Sequence, residues 1–260
     1  MNLSIFTIKG LRAVLSFYLV TSLLGFAFGQ DNIYTAVHEP SPTEEWNPES
    51  RYYQAMATNV RQLDTIISRE NLLKVISSFE RIARVEKDKA LPQYYLAFAL
   101  ATLAFREEDI DQIDVLCDRS ENALNRAESM SDVTQADILV IRAFIQYARL
   151  QVDFMGRGLE ASQRAESFLR KGNQVDPGNP QVLGMLAQHY LRIPAQAGGS
   201  RERFCAFAEL ATKAYEAKKA GWPSGVYPIV PHWGELDLLE AQARFCYLQP
   251  AKATTKSQQP

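Results

Sequence analysis

An apolar set recurs at a fixed interval, and that interval constrains the fold more than any other feature of the chain. Phe79, Leu124 and Leu169 stand 45 residues apart. Each is followed seventeen residues later by an aliphatic residue, Leu96, Ile141 and Leu186, and four residues further on come Leu100, Ile145 and Tyr190. Every copy carries two stretches of helical periodicity. A single helix pair cannot bury its own hydrophobic face, so a recurring pair must stack on its neighbours. The expected fold is therefore all-α: an α-solenoid of antiparallel helix pairs, about four of them, closed by a C-terminal capping helix. Such an object is a binding scaffold rather than an enzyme.

The N-terminal segment is set apart from that array. Lys9 and Arg12 precede an uncharged run from Ala13 to Phe28, and Ala27-Phe28-Gly29 has the small-x-small pattern of a cleavage site. Residues 1–29 read as a signal peptide that leaves Gln30 as the new N-terminus. The competing reading is a retained anchor, because the run approaches the roughly 20 apolar residues a spanning helix needs. Either way the folded part is exported, to a periplasmic or secreted location, and cleavage would leave no stable membrane span. The net charge of −2 becomes more negative once Lys9 and Arg12 are gone, which excludes a nucleic-acid partner. Three cysteines make no disulfide framework. Cys205 and Cys246, both in the last helices, either form one bridge or stay as buried thiols.

Between the ends, residues 30–50 read as a flexible linker with Pro40, Pro42 and Pro48, residues 51–249 as the helical domain, and residues 250–260 as a disordered tail without apolar anchors. Helices are expected from Tyr52 to Asp64 and from Asn71 to Val85, the second with Leu72, Val75, Ile76, Phe79 and Ile82 on one face. A third opens at Pro92. The acids Glu107, Glu108, Asp109, Asp111 and Asp114 follow without the order of a calcium loop, so a solvated turn is expected. A partner helix then carries Leu116 and Leu124. The next pair spans Thr134 to Leu150 and Gly158 to Gly172. Asp176-Pro177-Gly178-Asn179-Pro180 is a strong break, and a last pair follows, its second helix from Arg201 to Ala220.

Leu183, Leu186, Ala187 and Tyr190 resemble the first-helix signature of the tetratricopeptide repeat, W-x2-L-G-x2-Y, with Leu for Trp and Ala for Gly. Pro177 matches the proline that ends such a repeat, and Leu169 and Gly172 match its large and small packing positions. The resemblance spans roughly Tyr52 to Ala220 and is specific around Leu169 to Ala214; the 45-residue interval departs from the usual 34. The stretch from Asp176 to Ser200, with Pro231-His232-Trp233-Gly234 further on, is similar to exported tetratricopeptide-like proteins of Bacteroidetes-type bacteria. That likeness implies location and fold, not a reaction.

Chemistry-bearing motifs are weak. Ala197-Gly198-Gly199-Ser200 lacks a following Lys and a preceding strand, so it reads as a helix-capping loop rather than a phosphate cradle. Gly221-Trp222-Pro223-Ser224-Gly225 has the wrong order for a nucleophile elbow. His38, His189 and His232 show no metal-binding spacing. No metal, no cofactor and no catalysis are expected.

Two functions remain. The first is an adaptor that holds a protein or peptide in the groove of the first helices, with Asn59, Arg142, Gln146, Gln188 and Arg192 as candidate lining residues. The second is a small-molecule carrier associated with a transporter, with an aromatic pocket around Tyr94, Tyr95, Phe98, Tyr147 and Tyr190. The connection from Gly221 to Gly234 concentrates Trp222, Tyr227, His232 and Trp233. It reads as a cap on the last helix pair, and otherwise as the place of specificity.

Overall fold

The computed structural model describes residues 46–65 and 68–247, all within one compact unit. The expected signal peptide, most of the linker and the C-terminal tail lie outside the described residues. Among those described, the protein is all-helical, with nine packed α-helices: α1 (Arg51–Thr65), α2 (Arg69–Val85), α3 (Ala90–Phe105), α4 (Ile110–Glu128), α5 (Gln135–Arg149), α6 (Phe154–Val175), α7 (Pro180–Arg192), α8 (Arg201–Ala220) and α9 (Glu235–Gln242). None of these helices is long and apolar enough to cross a membrane.

Helix starts follow local chemistry. Ser68, Asp109, Thr134, Asp153, Asn179 and Ser200 each accept a hydrogen bond from a backbone N–H in the first turn of the helix they precede. Such a cap contributes about 0.5–2 kcal/mol by satisfying a donor that the helix cannot pair. Helix α3 begins at Ala90, two residues before Pro92, and its first N–H is accepted instead by both carboxylate oxygens of Asp132, in the turn before α5, at 2.8 Å. The acidic stretch after α3 is used locally: Glu107 pairs with Arg69 at 2.9 Å, Asp109 caps α4, and Asp114, already inside α4, binds Arg149 at 3.1 Å and Arg157 at 2.7 Å. The Ala197–Ser200 loop caps a helix. Ser200 starts α8, and a Cβ on Gly199 would fall 1.9 Å from the Ile193 carbonyl oxygen, so only glycine allows the chain to turn that closely.

The strongest pairings are α3 with α4, α5 with α6 and α7 with α8, while α3 with α5 and α5 with α7 link successive first members. The recurring residues all lie inside: Phe79, Leu124, Leu169, Leu96, Ile141, Leu186, Leu100, Ile145 and Tyr190 are at most 5% exposed, and Ala187 is fully buried. Helix α3 is apolar on every side and almost wholly buried, as a helix of that kind must be. A smaller core of Leu183, Ala187, Phe204, Ala208, Ala211, Tyr215 and Leu238 joins α7, α8 and α9. There Cys205 of α8 is bridged to Cys246, in the π-helical turn Ala243–Tyr247, with their Cα atoms 5.7 Å apart. Cys117 is a free, buried thiol.

The connection after α8 corrects the expected cap. It does not cover the end of the last helix pair; α9 does that. The connection runs back over α1, α3 and α5. The phenol of Tyr53 in α1 donates to the Tyr227 carbonyl at 2.9 Å and accepts from the Tyr227 N–H at 2.9 Å. Tyr95 donates to the Val230 carbonyl at 2.9 Å, and the Trp233 indole donates to the Tyr94 hydroxyl at 2.7 Å. Gly234 then turns the chain into α9 at φ 91°, a left-handed conformation that favours glycine, with the Tyr215 phenol donating to the Trp233 carbonyl at 2.6 Å. The first part of the apolar outer side of α3, from Tyr94 to Phe98, is thereby covered.

Candidate functional site: an aromatic shelf on the first helices

The covering strap divides the front formed by α1, α3, α5 and α7. On its covered side, Tyr94 and Tyr95 are fully buried and their hydroxyls are committed, so they do not line an open pocket. Burial pushes both phenols well above their ordinary range. Near the strap, Asp64 receives the Tyr227 phenol and lies 3.0 Å from His232 Nε2, while His232 Nδ1 lies 2.8 Å from the Val230 carbonyl. Trp222 and Tyr227 each pack edge-on against His232, with ring centroids 5.7 Å away. Of the four aromatic residues singled out in this connection, Tyr227, His232 and Trp233 thus anchor it to the front helices, and Trp222 packs on His232.

Beyond the strap, half-buried rings form a shelf across α3 and α5. Phe98 stacks on Trp233 at 4.5 Å, Phe144 lies 6.0 Å from Phe98, and Phe105 lies 5.6 Å from Phe144. At its α7 border the Arg192 guanidinium stands 5.8 Å from the centre of the Phe105 ring. Tyr147, one turn after Phe144 on α5, reaches His189 of α7: its hydroxyl is 2.8 Å from Nδ1. On the far side Tyr190 stacks on Phe207 at 5.5 Å, receives a hydrogen bond from Arg170 at 3.1 Å, and has Arg203 5.3 Å above its ring.

The five polar groove candidates do not form one surface. Asn59 donates to the Ala55 carbonyl of its own helix at 2.8 Å. Arg142 is turned to α4, where it binds Glu128 at 2.7 Å and Asn125 at 2.9 Å; the bond to Glu128 holds the guanidinium above its usual range, and the same bond holds the Glu128 carboxyl below its own. Gln146 is buried and Gln188 half-buried. Of the five, Arg192 borders the shelf. Phe105 and Phe144, which sequence reasoning passed over, are better placed than any of the remaining four. A signal for them existed, since an apolar all-round α3 next to a Phe-bearing α5 requires either cover or a ligand.

No family model matches the chain, and no curated protein matches it either. Among solved structures it is similar to the HusA haemophore from Porphyromonas gingivalis, with 28% sequence identity and a TM-score of 0.66. The likeness covers 79% of this chain and all of that one. It agrees with an exported protein of Bacteroidetes type. It also moves the functional reading away from a peptide-holding adaptor and toward the small-molecule carrier.

Proposed function

We propose that this protein is a non-catalytic, exported carrier of heme, its helix pairs stacked as a tetratricopeptide-like solenoid and its aromatic shelf the place where the macrocycle lies. The observation that carries the reading is the likeness to a haemophore along that structure's whole length. The shelf suits such a cargo. Heme is a flat apolar ring with two carboxylates at one edge; Phe105 and Phe144 offer faces for it, and Arg192 is positioned at the rim to pair with a carboxylate. The strap makes a peptide ligand in the same groove less suitable, because Tyr53, Tyr94 and Tyr95 already hold a stretch of the chain's own backbone or its Trp233 side chain there.

Titrating the mature protein with ferric heme, followed by the Soret absorbance, tests the reading. Saturable binding of one heme per chain is expected, with Phe105→Ala and Phe144→Ala each weakening it by about tenfold or more, as loss of an aromatic anchor does. Absence of a saturable change in the wild-type protein would refute it.

A further inference from the structure

We infer that the shelf is polarised along α3, with Arg192 at its carboxylate end and Trp233 as the apolar wall of the other, so that the cargo it selects is a porphyrin whose carboxylates all lie on one edge. The inference rests on the heme-carrier reading above and names the class of macrocycle and the residue that sets it.

The rings are ordered by the helix that carries them. Phe98 and Phe105 stand two turns apart on α3, about 10 Å along its axis. Phe144 of α5 lies beside both, at 6.0 and 5.6 Å. Phe105 is the last residue of α3, and the exposed Arg192 guanidinium stands over that end of the row, 5.8 Å from the ring. Its neighbours Arg142, Arg149, Arg157 and Arg170 are each bonded to a carboxylate of the chain. Arg192, among the described residues, meets a ring instead, which leaves its charge for a ligand.

The strap closes the opposite end. Trp233 stacks on Phe98 with centroids 4.5 Å apart and planes 19° from parallel, and lies 6.4 Å from Phe144. Two hydrogen bonds fix it: the indole N–H donates to the Tyr94 hydroxyl at 2.7 Å, and the Trp233 carbonyl accepts from the Tyr215 phenol at 2.6 Å. Phe98 is covered by this stack, so a macrocycle lying over Phe105 and Phe144 meets the indole at its far edge. Behind that wall the charge is negative. Asp137 is 4% exposed and accepts from Asn179 at 2.9 Å and from the Thr134 hydroxyl at 2.8 Å. Burial raises the Tyr94 phenol, and the Asp137 carboxylate adds to that. Lys218 of α8, which also feels Asp137, turns its ammonium to Gln181 Oε1 at 3.4 Å.

The two ends therefore suit opposite groups. A carboxylate beside Arg192 gains a planar cation while staying at the rim. One pressed against Trp233 would lose its water to apolar rings, find the indole N–H already committed, and approach the side on which Asp137 lies; an unpaired charge taken out of water is costly. A vinyl or methyl edge fits there. Protoporphyrin IX has this division, with its two propionates on one edge and its vinyl groups away from them. Coproporphyrin III carries propionates in place of the vinyl groups, so whichever edge it seats on Arg192, another carboxylate meets the wall.

The experiment titrates the mature protein with the ferric complexes of protoporphyrin IX and coproporphyrin III, which share the same iron, on the wild type, Trp233→Ala, Tyr94→Phe and Arg192→Gln, with melting curves as a check on folding. Loss of folded protein lowers both affinities alike, so their ratio reads the wall. The wild type should hold the protoporphyrin complex about tenfold or more tighter. Trp233→Ala should cut that preference to about threefold or less, because the far edge then reaches water. Tyr94→Phe keeps the ring but frees the indole, and should lower the preference in part. Arg192→Gln should weaken both complexes and keep the ratio, since both porphyrins carry carboxylates at that end. Equal wild-type affinities, an undiminished preference in Trp233→Ala, or loss of the preference in Arg192→Gln would overturn the inference. If Trp233→Ala does not fold, an undiminished preference in Tyr94→Phe would overturn it. Failure of the wild type to bind either complex would refute the carrier reading itself.

Discussion

The covered and open halves of the front use the same residue types to opposite ends. Under the strap, Tyr53, Tyr94 and Tyr95 bind a segment that comes from 135 to 174 residues away in the chain, and every one of their hydroxyls meets a backbone group or an indole. Beyond the strap, Tyr147 is nearly as buried but meets a histidine, and the neighbouring rings of Phe105 and Phe144 remain half-exposed. What lies over the rings separates the two halves: the chain's own strap covers Tyr94 and Tyr95, while Phe105 and Phe144 keep part of their surface open.

That contrast breaks first at Trp233. Trp233→Ala removes the stack on Phe98 and the hydrogen bond to Tyr94 and should cost about 3 kcal/mol in chemical denaturation, the low end for a tryptophan because the ring is half-buried. A change below about 1 kcal/mol would mean that the strap is not part of the folded unit's stability. Next in size is the Cys205–Cys246 bridge. Cys246→Ser should lower stability by about 2–4 kcal/mol and loosen α9 from the small core, seen as faster amide exchange around Leu238. Equal exchange in the two proteins would show that packing alone holds α9.

On the open side the effect should move from stability to binding. Phe105→Ala should cost only about 1 kcal/mol of folding free energy, since the ring is already half in solvent, yet weaken heme strongly. Unchanged heme affinity would place the cargo elsewhere.

The smallest effect is a pH dependence at His189. Burial holds its imidazole below the ordinary value of 6.5 in the folded protein, with Glu166 opposing part of that shift. Below about pH 6.5 the unfolded chain binds a proton that the folded chain does not, so stability present at neutral pH is lost as pH falls through that value toward the folded one. His189→Gln should flatten this part of the stability–pH curve relative to wild type. A curve of unchanged slope would mean that other groups govern the acid limb.

The central helices and their pairing were legible in the chain, because the repeated apolar residues are a local consequence of helical geometry. Phe79, Leu124 and Leu169 could be placed in a core without knowing what they touch. Break residues such as Asn179 and Ser200 carried their signal in their own side chains. Arg142 was misassigned to the groove because its position on α5 does not reveal that Glu128 and Asn125 of α4 are within reach. Trp233 was expected to cover the nearest helices in sequence and instead packs on Phe98, 135 residues earlier.

Sequence by itself determined the helical class and the spacing of the core positions, because each depends on contacts within one or two turns of chain; helix starts were legible where a local side chain caps them, as at Ser200, but not at α3, whose first N–H is held by Asp132, nor at α6, which begins at Phe154 rather than Gly158. Tertiary structure alone decided that the last connection crosses the front, that Cys205 meets Cys246, and that Tyr147 meets His189 with Glu166 behind it. These are contacts between residues 23 to 174 positions apart, whose meeting depends on how successive helices are angled and how long each turn is. Periodicity carries no record of either, so the scaffold could be read from the chain, while the site it positions required the fold.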